Sequence, residues 1–262
     1  MRALRTALWM EILKIRKSTV FQVSVYFFVF IGAVMGLLMY LSLHPEIASR
    51  SSTMEMKTSF LAGSDWDSFF TLLIRIVLTV GVIGSGIITS WSFGREFADH
   101  VVKDLLALPV SRSTIVLSKF IVLFIWSNLL MIVAMIAALL AGALIQLPGW
   151  SNADFPAFLI SYLVCSVLNT LLITPVAFIA SAGRGFILPI SFVILVLILT
   201  QFLFIGLPGF SIWFPWALPA LYSGIAGLMA PAAHGITWLL YALVVLAGLL
   251  GTIFWWIFAD HR

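Results

Sequence analysis

The chain has 262 residues, 63% of them hydrophobic and only 9% charged, and its mean hydropathy is +1.17. These values exclude an ordinary water-soluble globule and point to a membrane protein. The formal net charge of +4 requires no nucleic-acid partner, because the basic residues cluster between apolar runs, where they set membrane topology.

In chain order, residues 1–19 come first. Leu4, Leu8, Ile12 and Ile15 recur at helical spacing with Arg2, Arg5 and Arg16 elsewhere on the wheel, so the segment reads as an amphipathic helix in the cytoplasmic interface. A hydrocarbon core of about 30 Å needs roughly 20 apolar residues per spanning helix. Six runs meet that length, near residues 20–43, 69–93, 118–146, 157–180, 186–206 and 236–258. They are continuously apolar, unlike the alternating strands of about 10 residues that build an outer-membrane barrel. The expected fold is therefore an all-α polytopic membrane protein with six transmembrane helices. The first run is too long for a signal peptide, and no small-residue cleavage pattern follows it, so it is expected to remain in the mature chain.

Placing both termini in the cytoplasm puts Arg2, Arg5, Lys14, Arg16, Lys17, Arg95, Lys103, Arg112, Lys119, Arg184 and Arg262 inside, eleven of the fourteen Lys and Arg residues. That asymmetry fixes the expected orientation. The first outer loop, residues 44–68, carries charges of both signs and reads as solvated.

In the second run, Arg75 is an ionisable group inside the membrane, which is costly. Three readings are open: attraction of an anionic head group or substrate at the outer mouth, snorkelling, or pairing with Asp65, Asp67 or Asp154. Gly81, Gly84, Ser85 and Gly86 form a small-residue surface that permits close helix approach. Residues 94–117 are the polar interruption before the third run. Phe97, Val101, Leu105 and Leu108 share one face, whereas Glu96, Asp99, His100 and Lys103 take the other. Asp99 and Lys103 are placed for an i, i+4 pair; Pro109 stops the helix, and Ser111 or Ser113 is placed to cap the next span. A simple turn would need fewer residues, so this helix is expected to dock a partner.

Spans three to five carry Asn128, Asn169, Thr170, Thr174, Thr200 and Gln201, and Pro175 predicts a kink in span four. Cys165, the sole cysteine, is expected to be a packing residue. Residues 207–235 are too apolar for a water-exposed loop, yet Pro208, Pro215, Pro219 and Pro231 forbid one continuous helix. Short helical pieces re-entering the outer leaflet, or an interfacial belt of Trp213, Phe214 and Trp216, both fit. No repeat or linker divides the chain, so 1–262 reads as one membrane domain. There is no GxxxxGK[ST], HExxH or CxxC, and the four His residues are scattered. Neither ATP hydrolysis nor metal chemistry is expected of this chain. The six runs contain no Asp or Glu, which argues against a proton-coupled carrier.

The stretch GREFADHVVKDLLALPVSRSTIVLSKF, residues 94–120, resembles the segment between the second and third spans of type-2 ABC exporter permeases. The resemblance is carried by Glu96, Leu105, Leu106, Pro109, Val110, Ser111, Arg112 and Lys119. His100, Val101 and Val102 stand where the family often has Gly-Thr-Leu. ALWMEILKIRKS similarly looks like the family's interfacial connecting helix, and FPWALPALYSG resembles the branch associated with bacitracin and lantibiotic self-protection. The resemblance implies a non-catalytic permease of a bacterial plasma membrane, paired with a second copy or a related permease. A separate ATP-binding cassette subunit, carrying ATP and Mg, would dock on Arg95, Glu96, Phe97, Asp99, Val101, Lys103, Leu105, Leu106, Pro109 and Arg112, while this chain binds no cofactor. Spans two and five would line a pathway for an amphipathic substrate such as a peptide antibiotic, a lipid-like molecule or a drug. Arg75, Ser85, Thr89, Asn169, Thr200 and Gln201 are the expected pathway residues. The alternative is a membrane-embedded assembly or sensory partner that recruits a cytoplasmic ATPase without moving solute.

Overall fold

A computed structural model describes residues 2–44, 46, 63–98, 111–225 and 230–258. Every regular element among them is helical, and six helices are long and apolar enough to cross a membrane: Thr19–Leu43, Trp66–Phe97, Arg112–Leu144, Phe155–Ala182, Ile187–Gly206 and Gly235–Phe258. We call them spans 1 to 6. The chain is a multi-pass membrane protein. Its perimeter agrees, since side chains such as Val23, Phe30, Leu140, Ile160, Ile198 and Leu243 face outward from the bundle, an arrangement that requires lipid as the surrounding medium.

An amphipathic helix, Arg2–Lys17, precedes span 1 and packs chiefly against span 3. It is held there by ions as well as by Ile15, which is 5% exposed. Lys119, in the first third of span 3, is 1% exposed, and its Nζ donates to Glu96 Oε1 at 2.6 Å and Glu11 Oε2 at 3.1 Å. Lys14 Nζ donates to Glu11 Oε1 at 2.8 Å and to Glu96 Oε1 at 2.9 Å. Two cations thus neutralise two carboxylates and tie the amphipathic helix to the end of span 2 and the start of span 3. Lys119 also lies 5.7 Å from the Phe93 ring centroid.

Burial alone would push the Glu11 carboxyl up, but Lys119 and Lys14 outweigh it and hold the group below its ordinary value. A lowered folded-state value means stability that is present above the ordinary carboxylate range and lost as pH falls through the lower, folded-state value. The thermal unfolding temperature of the detergent-solubilised chain should therefore stay level from pH 7 to about 5 and drop below that. Glu11→Gln should flatten the part of this acid limb that Glu11 contributes. An identical acid limb in wild type and Glu11→Gln would refute the assignment.

The remaining packing follows local chemistry. Ser111 caps span 3, its Oγ accepting from the Thr114 N–H at 3.3 Å. Span 4 is broken at Leu172 into Phe155–Leu171 and Ile173–Ala182. Pro175 has no N–H for the Leu171 carbonyl, and the single hydrogen of the Thr174 hydroxyl is shared between that carbonyl at 3.2 Å and Val245 O of span 6 at 2.9 Å. The glycine surface of span 2 is consumed within the chain: an added Cβ would meet Met131 at Gly81, Phe28 at Gly84 and Val193 at Gly86.

After span 5, prolines divide the backbone into the 3-10 turns Pro208–Trp213 and Pro215–Ala217 and the short helix Leu218–Ser223. Ala217 and Leu218 are fully buried, Leu218 against Leu168, Leu172 and Tyr241. Trp216 packs on Phe192, in the first third of span 5. The segment therefore turns back into the bundle, as short helical pieces were expected to do. Cys165 is buried and donates to Pro219 O at 3.4 Å, which makes it a packing residue of this junction.

Candidate functional site

Two regions carry the expected functional residues, one at each end of the bundle. At the end where the amphipathic helix and the last turn of span 6 meet span 3, Arg95, Glu96 and Phe97 continue the span 2 helix, which runs to Ala98. Glu96 points inward to Lys119 and Lys14, and its second carboxylate oxygen is buried with no hydrogen bond among the described residues. Phe97 packs edge-on against Trp256 of span 6 at 5.7 Å. Both residues, expected on a docking face, turn toward the chain's own bundle. Arg112 donates from Nη1 to the carbonyls of Trp256 at 3.2 Å and Ile257 at 2.9 Å, satisfying two acceptors at the C-terminus of span 6. Arg95 lies 5.4 Å from the Trp91 ring centroid. Asp99, Val101, Lys103, Leu105, Leu106 and Pro109 lie outside the described residues.

The other region is a cavity of about 340 Å³ lined by spans 2, 4 and 5 and the returning segment. It gathers Arg75, Asn169, Thr200 and Gln201, four of the six expected pathway residues, together with Thr79 and Trp216. Arg75 is nine residues past Trp66, the first residue of span 2, or about 14 Å along a helix axis.

Immediately after Arg75 the span adopts a π-helical turn, Val77–Gly81. Such a turn spoils the regular backbone ladder, and Asn169 compensates by donating from Nδ2 to Val77 O at 2.7 Å. Thr79, four residues after Arg75, donates to the Arg75 carbonyl at 2.9 Å. Thr200 donates to Val196 O at 2.7 Å. Thr79 and Thr200 have thus committed their one hydroxyl hydrogen, and Asn169 one of its two amide hydrogens, to backbone carbonyls.

The alternative pairing of Arg75 with acids at the mouth does not occur among the described residues. Asp65 accepts from the Ser68 N–H at 3.0 Å and Asp154 from the Ala157 N–H at 3.0 Å, each capping a helix N-terminus. Their carboxylates serve span 2 and span 4.

Ser85 is 2% exposed and donates to Gly81 O at 2.7 Å, and it borders a small recess below the cavity that shares Asn169 and Trp216 with it. Thr89 is fully buried, donates to Ser85 O at 2.7 Å and reaches neither space. Thr79 and Trp216 were not singled out as pathway residues. The i, i+4 spacing from Arg75 was the available signal for Thr79; Trp216 had none, because its place depends on how the proline-broken segment folds back.

Comparison with known proteins gives two matches. Residues 7–201 match the family described as ABC-2 family transporter protein. Over 151 residues, 58% of this chain and 72% of the relative, the sequence is 30% identical to the bacitracin transport permease protein BCRB of Bacillus licheniformis.

Proposed function

This chain belongs to the ABC-2 family of transporter proteins, and on that premise we propose that it is the non-catalytic permease of an ATP-driven exporter in a bacterial plasma membrane. The bundle end that carries both termini faces the cytoplasm. Residues 95–112 dock a separate ATP-binding cassette subunit, which holds ATP and Mg, and a second permease completes the pathway. The cargo is amphipathic, a peptide antibiotic, lipid-like molecule or drug, in keeping with the bacitracin transport named for the relative.

The observation that carries this reading is the cavity itself. Polar and charged groups from spans 2, 4 and 5 converge with Trp216 inside a membrane bundle, so one part of a cargo meets donors while another meets apolar walls. The ionic cluster supports it from the other end. Glu96 lies at the start of the docking segment and is salt-bridged to the amphipathic helix and span 3, so a push on that segment is transmitted to three helices.

The test is purification of the tagged full chain from host membranes. A subunit with a Walker A phosphate loop should co-elute in a ratio of about one to one and hydrolyse ATP. Leu105→Glu with Leu106→Glu should abolish co-elution while the permease stays monodisperse. Survival of the complex in that variant would refute the docking assignment, and absence of any such ATPase would refute the export role.

A further inference from the structure

Arg75 carries the only charge among the described residues that line the cavity. Thr79, Asn169 and Thr200 have given hydrogens to Arg75 O, Val77 O and Val196 O. Among the described residues, Arg75 has no ion-pair partner and Gln201 no hydrogen bond, although both line the same space. A guanidinium offers five N–H donors in a planar fork and a Gln amide offers two more. Among the described residues lining the cavity there is no carboxylate to neutralise the charge. Arg75 and Gln201 are both exposed, so the cavity opens at the bundle surface, and a guanidinium presented there at membrane depth is costly unless a counter-charge arrives from outside the chain.

We propose that the cargo of this cavity is an anionic amphipath: its compact oxyanion head, a phosphate or carboxylate, is held by Arg75 and Gln201. Its apolar body lies along Leu78, Leu197, Phe204 and Ile205, which complete the lining. That this ligand is also the exported cargo rests on the exporter reading above. The planar fork matches two oxygens of such a head at once, which an ammonium does not do. Quaternary ammonium and other cationic heads are repelled by the same charge, so the site discriminates by sign.

The full-length chain in phosphatidylcholine nanodiscs, without ATP, tests this with dodecyl phosphate and dodecyltrimethylammonium, each counted above empty nanodiscs. Dodecyl phosphate should bind at least tenfold more tightly. Arg75→Gln should cut that preference below twofold, Arg75→Lys should keep part of it, and Gln201→Leu should weaken dodecyl phosphate several-fold. Equal binding of the two probes to wild type overturns the proposal, as does an unchanged preference in monodisperse Arg75→Gln. Should that variant not fold, an unchanged preference in both Arg75→Lys and Gln201→Leu overturns it. Adding phosphatidylglycerol to the nanodiscs separates the sources of the head group. Competition assigns it to a membrane phospholipid and its absence to a solute, and either result supports the anionic class. Because the permease is measured alone, loss of the preference removes this site whatever the ATPase co-purification shows. An intact preference without an ATPase partner removes the export role and leaves the site standing.

Discussion

Lys119→Met should lower the thermal unfolding temperature of the purified chain by about 10 °C, corresponding to a loss of about 3–5 kcal/mol. Lys119 is 1% exposed and is the shared partner of two carboxylates that are themselves buried, Glu11 and Glu96. Methionine fills most of the space but leaves those carboxylates facing only Lys14, whose side chain is 39% exposed. The cost comes from stranded charge, so removing the charge should reverse it: Lys119→Met combined with Glu11→Gln and Glu96→Gln should recover most of the lost stability. The amphipathic helix should also loosen in the single variant, seen as faster proteolysis within residues 1–18. A single variant as stable as wild type, with unchanged proteolysis, would mean that the cluster contributes nothing to anchoring that helix.

The second large effect is expected at Gly248, where span 6 crosses the kink of span 4. A Cβ there would fall on Pro175 N, 2.5 Å from Thr174 C and 2.8 Å from Pro175 Cα. These are backbone atoms of a proline-fixed turn and cannot swing aside as a side chain would. Gly248→Val should therefore separate the two spans and break the Thr174 hydroxyl bond to Val245 O and the Tyr241 hydroxyl bond to Leu168 O at 2.7 Å. Overpacking of this kind costs about 1–3 kcal/mol or more. Gly251 lies on the same span, but its Cβ would meet only the Phe178 ring, at 3.2 Å, which can turn. Gly251→Ala should shift the unfolding temperature by far less than Gly248→Val. Equal shifts in the two variants would show that the close approach at Pro175 is not what holds these spans together.

Much of the fold is legible because a bilayer imposes simple rules on sequence. Length and apolarity locate all six spans, and the ends move most where polar residues continue a helix. Span 2 runs to Phe97 and span 3 begins at Arg112, since a helix extending beyond the hydrocarbon core needs no apolar side chains. Pro175 and the Ser111 cap are equally legible, because a missing donor and a hydroxyl acceptor act within one turn.

The site is legible only in part. Arg75, Asn169, Thr200 and Gln201 stand out as polar residues in oily runs, and they do share a cavity. Ser85 and Thr89 stand out in the same way, yet Ser85 reaches only the recess beside that cavity and Thr89 neither space, although their hydroxyls bond back to their own helix just as that of Thr200 does. Residue type reveals that a polar group is present; only the facing helices decide whether it meets a cavity or a carbonyl. Lys119 likewise reads as one residue of a motif, and nothing along the chain pairs it with Glu11, 108 positions away.

By itself the sequence determined the class of protein, the number and placement of its spans and the broken segment before span 6. Each of these follows from hydrophobic length or from chemistry within a turn or two. Only the tertiary structure decided that Glu96 faces inward, that Arg75 meets no carboxylate among the described residues while Asp65 and Asp154 cap helices, and that Trp216 closes one side of the cavity. Those outcomes depend on distances between helices far apart in sequence, where a buried charge or donor takes whichever partner packing brings within reach.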